Sequence, residues 1–136
     1  ELQKIAVDNF PGGTMPDGRK VVDFLSLDIE GAEYLAMKGT NFDQVFIRYI
    51  LIEFSPMYKI SQVVSLLRQK GFSPLVKLNL DVLLVHEDAL PEVNMEHLRK
   101  ECASYQVTHC LMCEHSRNQE LCSGLNMTSY RQSRDS

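Results

Sequence analysis

The 136-residue sequence has no long apolar run, no cluster of basic residues and no recognisable leader. None of its apolar runs approaches the roughly 18 residues that span a bilayer, which argues against a membrane-spanning helix. Lysine and arginine number 14 against 18 acidic residues, so the net charge is −4. Because nucleic-acid binding needs clustered positive charge, this balance argues against a nucleic-acid partner.

The beginning of the chain has the features of neither a signal peptide nor a nucleotide-binding loop. Residues 1–4 lack a charged start followed by an apolar middle. The missing initial methionine is expected of a processed product or a fragment. The glycines of Pro11-Gly12-Gly13 and Pro16-Asp17-Gly18 match no nucleotide-loop spacing, and such dipeptides mark turns. We therefore assign residues 1–20 to a loop-rich lead-in.

The most informative stretch is VVDFLSLDIEGAE, residues 21–33. Its first part is almost continuously apolar, which predicts a strand covered on both faces, as in a parallel sheet. It then becomes acidic, and Asp28, Glu30 and Glu33 surround Gly31. Open α/β sheets bind their ligands beyond the carboxyl ends of such strands. The acidic turn is therefore the first candidate for a functional site.

The rest of the chain alternates between strand and helix patterns. The predicted elements are a strand over 21–28, a helix over 32–38, a strand over 49–54, a helix over 60–70, strands over 72–78 and 81–85 joined as a hairpin, and a helix over 95–105. This alternation predicts an α/β fold with a parallel sheet to which the hairpin adds an antiparallel strand. Residues 41–48 are expected to be a connection, and His86 to lie at a solvated edge.

With these elements placed, residues 22–33 resemble the signature of the FkbM-type methyltransferases, and the Ser-Leu-Asp variant resembles the animal branch of that family. Lys38-Gly39, Ile52-Glu53 and residues 81–85 also fall where the family's pattern expects them. The resemblance covers roughly residues 21–88.

The resemblance implies the S-adenosylmethionine-dependent methyltransferase fold, a doubly wound sheet of seven strands. The family's cofactor-binding half comes first, with a glycine-rich turn and an acidic residue that grips the ribose. Neither is present in this sequence. We therefore expect residues 21–88 to be the C-terminal half of the domain, a partial Rossmann-like sheet of strands four to seven, parallel with a C-terminal antiparallel hairpin. Its cofactor-binding residues are unknown, and the chain alone is expected to be inactive.

The implied reaction is O-methyl transfer to a small-molecule or glycan acceptor that the sequence does not identify. Asp28 is the predicted catalytic residue, because an acid that closes an apolar strand is costly without a purpose, and Glu30 can share its task. Glu53, which ends the next strand, is predicted to contact substrate. Glu33 either caps the helix start or contacts substrate. Two carboxylates do not define a magnesium site, so no metal is predicted.

Residues 89–136 form a cysteine-containing extension whose end is expected to be disordered. It holds Cys102, Cys110, Cys113 and Cys122. Because there is only one close pair, disulfides are favoured over a zinc site. Asn126-Met127-Thr128 matches the N-glycosylation pattern. Together with the animal-branch resemblance, these features favour the secretory pathway or an extracellular location over the cytoplasm.

A second functional class stays open, because the fold by itself does not establish catalysis. The chain can instead be a non-catalytic adaptor or binding domain of the secretory pathway that descends from the methyltransferase fold. The half-domain interpretation leaves an apolar sheet edge at residues 24–28, through which the chain is expected to associate. A free-standing small α/β module would instead be a monomer that unfolds cooperatively.

Overall fold

The described part of the chain contains five strands and three α-helices. The computed structural model describes residues 13–53, 60–78, 80–104 and 110–112. The strands are β1 (Lys20–Leu27), β2 (Val45–Glu53), β3 (Phe72–Leu78), β4 (Asp81–His86) and β5 (Cys110–Met112), and the helices are α1 (Glu33–Lys38), α2 (Ile60–Gln69) and α3 (Met95–Ser104). None of the helices in these ranges is long and apolar enough to cross a membrane.

All five strands belong to one sheet in the order β1-β2-β4-β3-β5. Strands β1 and β2 are parallel, whereas β4 runs antiparallel to both β2 and β3. The predicted α/β class, the parallel pair and the hairpin are therefore confirmed. The second strand of the hairpin, β4, lies beside β2, whereas the first, β3, does not. As a result, the first residue of β4 lies opposite the last residue of β2.

Helices cover both faces of the sheet. Side chains alternate along β4, so that Val82 and Leu84 belong to one apolar cluster and Leu83 and Val85 to the other. The first cluster joins α1 and α2 to the sheet through Met37, Val63 and Leu67. The second joins α3 to the sheet through Met95, Leu98 and Cys102. The helical spacing of the apolar residues predicted the buried faces of α2 and α3.

Strand β2 starts at Val45, ahead of the predicted start at Tyr49, so the assignment of residues 41–48 to a connection was wrong in its second half. Val45, Phe46 and Ile47 are all at most 2% exposed. The charged Arg48 interrupts this apolar run, but its guanidinium reaches the surface, where it pairs with Asp23 at 2.9 Å. A long side chain can carry its charge out of a strand in this way.

His86 was expected at a solvated edge, and this prediction was wrong. Its side chain belongs to β4 and is only 8% exposed, because the rings of Phe46 and Phe72 pack edge-on against it. Its Nδ1 accepts a hydrogen bond from the backbone N–H of Asp88 at 3.1 Å. The aromatic neighbours come from two other strands, so local sequence gave no sign of the burial.

The cysteine-containing extension contains a short 3-10 helix (Leu90–Glu92), then α3, as predicted, and one strand that was not predicted. Strand β5 pairs antiparallel with β3 along its outer edge. Cys102 is buried, and the described residues include no free cysteine thiol. Cys113, Cys122 and Asn126 lie outside the described residues, so the disulfide pairing and the glycosylation stay predictions.

Candidate functional site

Three carboxylate residues follow one another across neighbouring strands at one end of the sheet. The β1–β2 register ends with Leu27 opposite Ile52, so Asp28 and Glu53 are next in line. Glu53 in turn lies opposite Asp81, the first residue of β4. We call Asp28, Glu53 and Asp81 the carboxylate row. It lies at the carboxyl ends of the two parallel strands, where open α/β sheets bind ligands.

The negative charge of Asp28 affects the other two carboxyls of the row. A hydrogen bond between Glu53 and Asp28, followed by the negative charge of Asp28, raises the pKa of Glu53. Burial of Asp81, and then the charge of Asp28, raises the pKa of Asp81. Asp28 therefore acts on both of its neighbours, which keep their protons to a higher pH than isolated carboxyls do.

The stability of the chain is expected to depend on pH through this row. The folded state holds the protons of Glu53 and Asp81 more tightly than the unfolded chain does. These groups therefore stabilise the fold fully below their ordinary pKa values of about 4, and lose this contribution as the pH rises through the raised values. Asp28→Asn removes the negative charge that contributes to raising both pKa values. We expect the urea midpoint of this variant to exceed that of the wild type at pH 7 and to approach it near pH 4.

Asp23→Asn is the matched control for this pH measurement. Asp23 lies on the same strand, but its side chain is 82% exposed and its partner is Arg48. The control should follow the pH dependence of the wild type, because an exposed ion pair contributes little. If the urea midpoints of Asp28→Asn and the wild type changed with pH in the same way, Asp28 would not be the residue that raises the pKa values of Glu53 and Asp81.

The turn after β1 reverses the chain through two left-handed residues. Glu30 has φ 53° and Gly31 has φ 104°, and the N–H of Ala32 donates to the carbonyl of Ile29 at 3.3 Å. Turns of this kind need positive φ at both central positions, which suits glycine but is strained for glutamate. Side chains held in strained backbone are often found at functional sites. Glu30 is exposed in this turn.

Glu33 has a different environment from the other acids. It is the first residue of α1, and its side chain is only 2% exposed. Its Oε1 accepts the N–H of Ile29 at 3.1 Å, and its Oε2 accepts the N–H of Gly31 at 2.9 Å. Both carboxylate oxygens are thus bonded to the backbone of the turn, as in the capping interactions at a helix start.

The structure brings together two of the four predicted site residues, Asp28 and Glu53, and adds Asp81. Sequence reasoning missed Asp81 because the acid opens the second strand of a hairpin. Only the placement of β4 beside β2 brings it opposite Glu53. Glu30 belongs to the same turn as Asp28, whereas Glu33 lies beneath it in the buried layer.

The charge of the row suits a cationic ligand. Asp28 is exposed, and Glu53 and Asp81 are partly exposed, so the row is open to solvent. In the described ranges, no turn with several glycines directly follows a strand, and no group of three or more acidic, histidine or cysteine side chains has an arrangement that could hold a metal ion.

Comparison with known proteins identifies one family. The model of the methyltransferase FkbM domain matches residues 1–74, a stretch that includes β1, α1, β2 and α2. No curated protein and no solved structure matches the chain. The matched stretch contains Asp28, Glu30, Glu33 and Glu53, while Asp81 lies beyond it. Because the match covers more than half of the 136 residues, the chain belongs to the FkbM methyltransferase domain family.

Proposed function

We propose that this chain is the acceptor-side half of a domain that transfers a methyl group from S-adenosylmethionine to a hydroxyl group. The carboxylate row carries this proposal, because it places two interacting acids at the carboxyl ends of the parallel strands. The bound cofactor supplies an electrophilic methyl group. The acceptor hydroxyl must be aligned with that methyl group and must lose its proton.

Asp28 and Glu53 take these two roles. Asp28 is exposed at the end of β1 and accepts the proton of the hydroxyl group. Glu53, hydrogen-bonded to Asp28 and with a raised pKa, holds the acceptor in place as a donor or an acceptor of hydrogen bonds. Glu30, exposed in the same turn, can also contact the acceptor. Glu33 has a structural role rather than a substrate-binding one, since backbone N–H groups of the turn are bonded to both of its oxygens.

The proposal that the chain is a half-domain rests on the exposed edge of β1. Among the described residues β1 pairs with β2 alone, apart from the single bridge between Thr14 and Lys20. Phe24 is 55% exposed although it lies in an apolar strand. In doubly wound sheets the fourth strand lies beside the first, at the point where the strand order reverses. A domain without its first strands would leave such a strand at an edge, with apolar side chains uncovered.

Calorimetric titration with S-adenosylmethionine tests the half-domain. The 136-residue chain is expected to show no binding at micromolar cofactor, because its described residues include no glycine-rich turn after a strand. A longer chain that adds a strand and a glycine-rich turn ahead of residue 1 is expected to bind the cofactor and to release its methyl group to an acceptor. Tight binding by the 136 residues alone would contradict the half-domain proposal.

The same titration separates the enzyme from the non-catalytic alternative. A binding or adaptor domain would keep the sheet but fail to bind S-adenosylmethionine even in the longer chain. Sedimentation velocity on the 136-residue chain provides a measurement independent of the cofactor. An uncovered β1 edge predicts concentration-dependent association, and a chain that stays monomeric at high concentration would show that this edge is covered.

A further inference from the structure

The turn between β1 and α1 needs an acceptor that its own helix cap does not supply. Ala32 occupies the cap position before α1, and its side chain makes no capping hydrogen bond. Helix starts usually satisfy their free N–H groups with a serine, threonine, aspartate or asparagine at this position. A side chain at this position would accept N–H groups inside the helix, so the N–H groups of the preceding turn depend on a different acceptor.

Glu33 supplies that acceptor from inside the helix. Its carboxylate receives the N–H groups of Ile29 and Gly31, the residues on either side of Glu30. A buried carboxylate is costly unless its charge is compensated, and hydrogen bonds to an ionised group are the stronger kind. At 2% exposure, Glu33 has little access to water that could replace these two bonds.

The two bonds hold the part of the chain that departs from regular structure. Glu30 and Gly31 have consecutive positive φ angles of 53° and 104°. The left-handed backbone conformation is unfavourable for glutamate, so Glu30 keeps it only if the surrounding contacts hold it there. Because the amides before and after Glu30 are both bonded to one carboxylate, the turn cannot relax without breaking a partly buried hydrogen bond. The β1–β2 register ends at Leu27, and the turn begins directly after Asp28, so the turn holds the chain on the side of Asp28 that strand pairing does not reach.

We propose that Glu33 is a positioning residue for Asp28, acting through the Ile29 and Gly31 amides rather than by contact with substrate. The catalytic meaning of this role rests on the proposed function, in which Asp28 accepts the proton of the acceptor. The two hydrogen bonds from the Ile29 and Gly31 amides to Glu33, which we call the clamp, do not depend on the proposed function. The clamp is a property of the folded chain, and it can be measured in the absence of cofactor and acceptor.

Amide hydrogen exchange on the 136-residue chain tests the clamp directly. The N–H groups of Ile29 and Gly31 are expected to be protected in the wild type. In Glu33→Ala both should exchange at least about tenfold faster, because both acceptors are removed. Glu33→Gln keeps one acceptor oxygen and should release mainly one of the two amides. Glu30→Gln removes the same charge from an exposed position in the same turn and should leave both amides protected.

Titration of the Glu53 carboxyl by carbon NMR separates positioning from simple stabilisation. The charge of Glu33 is the smallest of the contributions that raise the pKa of Glu53, so both Glu33 variants should lower this pKa slightly. Glu33→Ala should lower it further, because a relaxed turn loosens the hydrogen bond that protonated Glu53 donates to Asp28. Equal Glu53 titrations in Glu33→Gln and Glu33→Ala, or unchanged exchange of both amides in Glu33→Ala, would overturn the proposal. If the alanine variant does not fold, exchange in Glu33→Gln decides alone.

Kinetics in the longer, cofactor-binding chain then test the catalytic meaning. A positioning residue predicts that Glu33→Gln lowers kcat and leaves KM for the acceptor unchanged. A substrate-binding residue predicts a raised KM, and this result would overturn the proposal. If the longer wild-type chain transfers no methyl group, the proposed function fails, while the exchange measurement still decides whether Glu33 clamps the turn.

Discussion

Replacing Asp28 with asparagine is expected to slow methyl transfer by about 10²- to 10⁴-fold, the usual contribution of a general base. Asparagine keeps the size of the side chain and its ability to form hydrogen bonds, but it cannot take the proton of the acceptor. Asp28 is exposed beyond the end of β1, so the substitution should not unfold the sheet. The measurement is the initial rate of transfer from methyl-labelled S-adenosylmethionine in the longer chain that binds the cofactor.

Asp23→Asn is the control for the rate, because it makes the same chemical change on the same strand. Asp23 pairs with Arg48 at the surface and is not part of the carboxylate row. Its variant should keep the wild-type rate. A loss of less than about tenfold in Asp28→Asn would mean that Asp28 is not the base. A loss in both variants would indicate that the strand, rather than the acid, is the sensitive element.

Replacing Phe72 with alanine is expected to cost about 3–5 kcal/mol of unfolding free energy, the usual range for a buried phenylalanine. Phe72 is the first residue of β3 and is 1% exposed. Its ring meets the edge of Phe42 at 6.0 Å and of His86 at 5.0 Å between centroids. Since a domain is typically stable by only about 5–15 kcal/mol, this variant should be close to unfolded. Urea unfolding followed by circular dichroism measures the loss.

Phe24→Ala is the matched control for the core. It removes the same ring from another strand, but Phe24 is 55% exposed. The cost should be below about 1 kcal/mol, since little buried area is lost. If Phe24→Ala proved as costly as Phe72→Ala, Phe24 would be buried in solution, and the uncovered edge of β1 would not exist. The comparison therefore tests the core and the half-domain proposal together.

Much of the local structure could be predicted from the sequence, because it depends on neighbours along the chain. The period of the apolar residues identified α2 and α3, and the continuous apolar run identified β1. The change from apolar to acidic at Asp28 marked the end of a strand, and the family match includes that stretch. Where a charged residue interrupts an apolar run, the pattern of apolar residues can place the start of a strand too late. Arg48 hid the first half of β2 in this way.

The site itself depends on contacts between distant segments. Placing β4 between β2 and β3 brings Asp81 opposite Glu53, although a whole helix and strand separate them along the chain. Glu33 looked like any acid in a first helical turn. Only the reversal at Glu30 and Gly31 turns the Ile29 and Gly31 amides toward its carboxylate and buries it.

The sequence by itself determined the α/β class and the acidic turn after an apolar strand, because these follow from the periodicity of apolar residues. Asp28 as the leading residue of that turn stays a prediction, which rests on the cost of ending an apolar strand on a charge. The tertiary structure decided which acids lie side by side. Coupling between Asp28, Glu53 and Asp81 requires strand register, and strand register is set by packing across the whole sheet.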